Sequence, residues 1–194
     1  MSLTLSTMLP LKSKAPDFKL GDVISGKVFT LKDFADKKLL LVMFICRHCP
    51  YVQHIKKELA NLGREYPPKN VAMVAISSND AENYAEDAPT GLREMARESN
   101  FSFPFLYDED QSVAKAYSAA CTPDFFLFDQ NRQLIYRGQL DDSRPGNGKP
   151  VTGADLRMAL DAALAGQPID PHQKPSAGCN IKWKRGMEPA YSRR

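Results

Sequence analysis

An eight-residue apolar run, Leu39 to Cys46, constrains this chain most, because it ends in Cys46-Arg47-His48-Cys49-Pro50 and passes directly into a helical stripe. The run falls far short of the ~18 residues that a membrane span needs, and it is too continuous for a strand with one wet face. It reads as a central buried strand whose C-terminal end delivers Cys46. Downstream, Val52, Ile55, Leu59 and Leu62 recur at helical spacing until Gly63 and Pro67-Pro68, and Val71 to Ser77 is a second buried run. Strand, helix and strand with short joints predict a right-handed βαβ unit. Both cysteines then stand at a helix entrance, with Cys46 as the helix's first residue.

Around this unit the remaining segments arrange themselves. Ala15 to Leu20 and Lys27 to Leu31 read as two short strands about a turn at Gly21 to Gly26, after a loose start. Ser78 to Thr90 is polar and loop-like, an insertion after the second core strand. Leu92, Met95 and Ala96 suggest a short helix, Phe103 to Tyr107 a strand, and Val113, Ala116 and Tyr117 another helix. Phe125 to Phe128 and Leu134 to Tyr136 flank Asp129-Gln130-Asn131-Arg132 as an antiparallel hairpin. Asp141 to Thr152 is a long loop with four Gly or Pro. Leu156, Ala159, Leu160, Ala163 and Leu164 mark a closing helix stopped by Gly166. We expect one domain over residues 1–166 and a tail, 167–194, without periodicity but packed on the body through Ile181 and Trp183.

Composition narrows the function classes. At 194 residues, 43% apolar and 25% charged, the chain is an ordinary globular domain. Its net charge of +3 is concentrated: the tail from Ile181 carries +4, which leaves residues 1–180 at −1. A basic tail on a neutral body gives no nucleic-acid-binding face. The N-terminus lacks a basic region before its scattered leucines, so the expectation is no secretory signal, no membrane attachment and a cytoplasmic location. Four cysteines are too few for a disulfide scaffold at this length and point to redox chemistry or metal binding.

The thiolate is the reactive form of cysteine, and a helix N-terminus or a neighbouring cation favours it. With two residues between the sulfurs, the second thiol reaches the first and closes a small ring reversibly. Arg47 and His48 are candidates for tuning the thiol pKa. The same pair admits two other readings: packed core cysteines, or part of a zinc site with His48 or His54, although no second pair of ligands follows. Thr122-Pro123, directly before the strand at Phe125, is a second signal. A cis proline there turns the preceding backbone toward an approaching extended chain. Cys121 and Cys179 read either as filler and tail thiol or as further redox residues.

Taken together, Ala15-Pro16-Asp17-Phe18-Lys19-Leu20, Cys46 to Cys49, Thr122-Pro123 and Tyr136-Arg137-Gly138 resemble the thioredoxin superfamily, and more closely its redoxin branch, which includes peroxiredoxins. The resemblance spans about residues 15–165 and is similar to that of a bacterial group of thioredoxin-like proteins. It implies an α/β thioredoxin-like fold: a central mixed sheet flanked by helices, with an N-terminal hairpin. It also implies a thiol-disulfide oxidoreductase in which Cys46 attacks, Cys49 resolves and Thr122-Pro123 faces them as the substrate-binding loop. Such an enzyme needs no bound cofactor or metal. Its partners would be a disulfide-bearing protein or small disulfide and a reducing thiol system; nothing in the sequence sets the oligomeric state.

The departures matter as well. Thioredoxin's Trp before the first cysteine is Ile45 here, and its Gly-Pro is Arg47-His48. The peroxiredoxin pattern P-x-x-x-T-x-x-C falls on Leu39 and Met43, which removes the proline and threonine that activate peroxide. Thiol peroxidase is therefore the alternative activity, and a metal-binding or carrier protein the rival outside enzymes.

Overall fold

The computed structural model describes residues 3–193. Leu39–Phe44 forms β4, and all six of its residues are buried. Side chains alternate across a strand, so Leu39, Leu41 and Met43 enter one core while Leu40, Val42 and Phe44 enter another. A strand that is apolar on both faces needs cover on both, and β4 accordingly lies inside a mixed seven-stranded sheet. It pairs parallel with β5 (Val71–Ser77) and antiparallel with β8 (Asp124–Phe128). Beyond β5 come β6 (Phe105–Tyr107), β2 (Lys19–Asp22) and β3 (Val28–Thr30); beyond β8 lies β9 (Leu134–Tyr136).

Three helices cover the first face: α1 (Pro50–Glu65), α2 (Pro89–Ser99) and α4 (Ala154–Leu164). The periodic residues Val52, Ile55, Leu59 and Leu62 of α1 are its buried stripe. Each such side chain contributes about 1.5–3 kcal/mol on leaving water. The short α3 (Ser112–Ala116) covers the other face through Val113 and Ala114, beside Phe18, Phe34 and Ile181. The fold is thioredoxin-like, a mixed sheet between helices.

Several boundaries differ from expectation. The first hairpin strand starts at Lys19, not Ala15, because the Ala15 amide donates to the Arg132 carbonyl (2.9 Å) and Lys14 bridges to Gln133, which holds residues 14–15 beside the distant β8–β9 turn. The start of the chain is not loose: Leu3–Leu5 is β1. It pairs with β10, Ala177–Asn180, inside the tail that shows no periodicity, and β10 pairs with β7, Cys121–Thr122. These three strands make a second, wholly antiparallel sheet over the C-terminal end of β4. Gly178 permits it: a Cβ there would lie 2.0 Å from the Thr122 carbonyl oxygen. After β10, Ile181 donates to the Ala120 carbonyl (3.1 Å), Lys182 donates to Asn79 Oδ1 (2.8 Å), and the Trp183 ring meets Tyr191 edge-on. No helix among the described residues is long and apolar enough to cross a membrane.

Candidate active site

The helix after β4 begins at Pro50, with Cys49 as its N-cap, and not at Cys46. Proline fits the first helical position, where its missing N–H costs nothing. A helix starting at Cys46 would set Pro50 in its interior, against the carbonyl four residues back. Residues 45–49 instead form a loop that needs outside support.

Asp87, carried on the 3-10 turn Ala85–Asp87, supplies that support. Its Oδ1 accepts the backbone amides of Arg47 (2.7 Å) and His48 (3.1 Å); its Oδ2 accepts Asn79 Nδ2 (2.7 Å) and His48 Nδ1 (2.5 Å). Burial opposes ionisation of Asp87, yet the bonds from His48 and Asn79 outweigh it and hold the carboxyl below its ordinary pKa. The hydrogen bond to Asp87 in turn raises His48 above the ordinary imidazole value. The His48 ring also stacks on Tyr84, 5.2 Å between centroids. Asp87 was not foreseen; its signal was the cluster of Asn79, Asp80 and Asp87 in the polar insertion, which reads equally well as solvated loop.

Arg47, a candidate for tuning the thiols, engages its side chain elsewhere. Its guanidinium turns to α2, donating to the Gly91 carbonyl (2.8 Å) and pairing with Glu94 (2.5 Å). His48 does approach, with Nδ1 4.0 Å from Cys46 Sγ.

Thr122 touches both cysteines of the pair. Its Oγ1 lies 3.3 Å from Cys46 Sγ, and its carbonyl oxygen accepts from Cys49 Sγ at 3.1 Å. The Thr122-Pro123 peptide bond is cis. Cys46 and Cys49 are both fully buried. Burial pushes the Cys46 thiol well above its ordinary pKa. Cys49 is drawn down to about 5, first by a hydrogen bond from Cys46 and then, against burial, by bonds from Cys179 and Thr122 and the Val52 amide. The directions for the pair run opposite to the expectation that Cys46 has the lower thiol pKa: Cys49 is lowered and Cys46 raised. The helix boundary adds the smallest of these causes, the Val52 amide near the start of α1.

The two remaining cysteines diverge. Cys121 Sγ faces the Pro123 carbonyl at 3.5 Å and the Ser176 carbonyl at 3.9 Å, and burial raises its pKa far above the ordinary value. Cys179, on β10 directly opposite Thr122, lies in the same buried cluster as Cys46 and Cys49, and burial pushes its thiol up to about 12. The edge of β7 that an extended substrate would use is thus already taken by the chain's own C-terminal strand. Among the described residues, Cys46, His48 and Asp87 are the one group of metal-ligand type, their atoms within 4.8 Å of one another. His48 and Asp87 spend their facing atoms on each other, so this set is a poor fit to a resident ion.

Residues 10–156 match the redoxin family model. The chain belongs to the redoxin family. This redoxin is similar along almost its whole length to a solved structure from Geobacillus kaustophilus described as an uncharacterized conserved protein: 54% identity, 96% of this chain and 98% of that one, TM-score 0.94. It is 26% identical over 133 residues to the thiol-disulfide oxidoreductase ResA of Geobacillus thermodenitrificans, covering 68% of this chain and 70% of ResA. It is 28% identical over 105 residues to a Helicobacter pylori protein assigned to the peroxiredoxins, bcp, covering 54% and 63%. These relatives mark the redoxin described here as an oxidoreductase of thioredoxin-like type.

Proposed function

We propose that this redoxin exchanges disulfides through Cys46 and Cys49. The observation that carries the proposal is the pair of buried cysteines at the start of α1, with Thr122 against both sulfurs. Cys46 attacks one sulfur of a substrate disulfide as its proton passes to the neighbouring Cys49 thiolate, so Cys49 serves first as base. The Thr122 carbonyl oxygen then holds the Cys49 S–H. One substrate sulfur leaves as thiolate and takes up the proton that Cys49 gives back. Cys49 then attacks Cys46 in the mixed disulfide, releasing the second substrate thiolate and closing Cys46–Cys49. Two electrons have moved from the pair to the substrate, and an external dithiol returns them. Substrates are a disulfide-bearing protein or small disulfide, and the setting is the reducing cytoplasm.

The decisive experiment offers the reduced chain insulin disulfide, oxidised glutathione and hydrogen peroxide in parallel. The expected result is disulfide reduction, one per chain in a single turnover, lost in Cys46→Ser and trapped as a mixed disulfide in Cys49→Ser. Faster consumption of peroxide than of either disulfide would make the chain a thiol peroxidase instead. Stoichiometric zinc or copper retained on Cys46 and Cys49, with no turnover, would make it a metal-binding protein.

A further inference from the structure

Three sulfurs meet where the proposed exchange needs two. Cys49 lies in one buried cluster with Cys46 and Cys179 and interacts electrostatically with both, whereas Cys46 has Cys49, Thr122 and His48 as its partners. Cys49 is therefore the middle sulfur of the row. Cys179 is brought there by register: β10 lies antiparallel on β7 with Cys179 opposite Thr122 and Asn180 opposite Cys121, the place an extended substrate strand would take beside Pro123. Gly178 lets the two backbones close, and the hydrogen bonds of Ile181 and Lys182 fix the strand beyond. A cysteine held in the substrate's position, in contact with the middle sulfur of a redox pair, is placed for chemistry, and Cys121 on the neighbouring strand is not.

The geometry points to Cys179 as a third redox cysteine, an internal acceptor that takes the disulfide from the active pair. The inference rests on the exchange proposed above. Starting from the Cys46–Cys49 disulfide, the Cys179 thiol gives up its proton and attacks Cys49. The Cys46–Cys49 bond breaks, a Cys49–Cys179 bond forms, and Cys46 departs as thiolate and takes up a proton. No electrons enter or leave: one disulfide and one thiol become another disulfide and another thiol. Oxidation of the pair favours the step. In the reduced protein, burial and then the charge and hydrogen bond of Cys49 hold the Cys179 thiol near a pKa of about 12; the Cys49 contribution vanishes once that sulfur is in a disulfide, while Lys182 continues to favour the Cys179 thiolate. The relay moves the disulfide from the base of the site into the C-terminal strand and returns Cys46 to the thiol form.

The test oxidises the full chain with one equivalent of oxidised glutathione, quenches in acid, alkylates in denaturant and maps the label after trypsin, which cuts after Arg47 and so separates Cys46 from Cys49. Expected for the wild type is label on Cys46 and Cys121, with Cys49 joined to Cys179. In Cys179→Ser and Cys179→Ala the label on Cys46 should be lost, because the disulfide stays at Cys46–Cys49. In Cys46→Ser no Cys49–Cys179 bond should form, because no Cys46–Cys49 disulfide is made for the relay to move. Label on Cys179 and none on Cys46 in the oxidised wild type would overturn the relay and leave the exchange reading intact. Label on Cys46, Cys49 and Cys179 alike, with no internal disulfide, would overturn both.

Discussion

Asp87 Oδ2 lies 2.5 Å from His48 Nδ1, and the same carboxylate receives the backbone amides of Arg47 and His48 through its other oxygen. One buried side chain thus fixes both the ring and the backbone between the two cysteines. Asp87→Asn keeps the shape and removes the charge. The His48 pKa should fall, since its largest raising cause is the bond to Asp87. Stability should drop by about 1–3 kcal/mol, the cost of leaving a buried donor poorly paired. The wild-type pair contributes over a window with two ends. The Asp87 share is lost as pH falls through its lowered pKa, and the His48 share is lost as pH rises through its raised one. The loss caused by the substitution should therefore be greatest between those limits. Imidazole proton titration by NMR, with denaturant melts across pH, checks both statements; an unchanged His48 titration would contradict the coupling.

Thiolate absorbance of the reduced protein should rise through a midpoint near pH 5, the value to which Cys49 is drawn. Cys49→Ser should abolish this step. Cys46→Ser should move it upward, because the bond from Cys46 is the largest lowering cause. An unfolded thiol ionises near about 8.5, so the fold favours the Cys49 thiolate. The resulting stabilisation of the reduced protein is full above that value and is lost as pH falls through about 5. A step that survives in Cys49→Ser and vanishes in Cys46→Ser would place the charge on Cys46.

Thr122→Val removes the hydroxyl 3.3 Å from Cys46 Sγ while keeping the carbonyl that accepts from Cys49. The hydroxyl lowers both thiols, though less than the sulfur-sulfur bond lowers Cys49. The thiolate midpoint should therefore rise by less than in Cys46→Ser, disulfide reduction should slow, and stability should change by about 0.5–1.5 kcal/mol, the usual net value of a hydrogen bond. The absorbance titration and insulin reduction rates, read together, test this.

How much of this was legible in the sequence follows from the range of the interactions involved. β4 and α1 announce themselves because their apolar periodicities are local: six consecutive buried residues, then Val52, Ile55, Leu59 and Leu62. Pro50 also carried the true helix start, since a proline four residues past Cys46 is incompatible with a helix beginning there. β10 was not legible. Ala177-Gly178-Cys179-Asn180 is small and polar, and its partners, Leu3–Leu5 and Cys121–Thr122, lie far away along the chain. Asp87 was hidden for the same reason, its role being set by amides 39 and 40 residues away. Local pattern thus located the sulfurs, and long-range pairing determined what covers them.

The last expectation concerns that cover. Cys46 and Cys49 have no exposure while β10 lies on β7, and that pairing depends on Gly178 passing the Thr122 carbonyl. In Gly178→Ala the new Cβ would fall 2.0 Å from that oxygen, a clash against backbone that no rotamer relieves. Overpacking of this kind costs about 1–3 kcal/mol, and each ~1.4 kcal/mol is a tenfold change in an equilibrium. The strand should therefore open several-fold more often while the seven-stranded sheet stays folded. Trypsin cleavage after Lys182 and Lys184 should accelerate, as should alkylation of Cys46 and Cys49 under native conditions, with the melting transition of the body retained. Faster cleavage without faster alkylation would show that something other than β10 shields the pair, and unchanged rates of both would show that the strand accommodates the methyl group without opening.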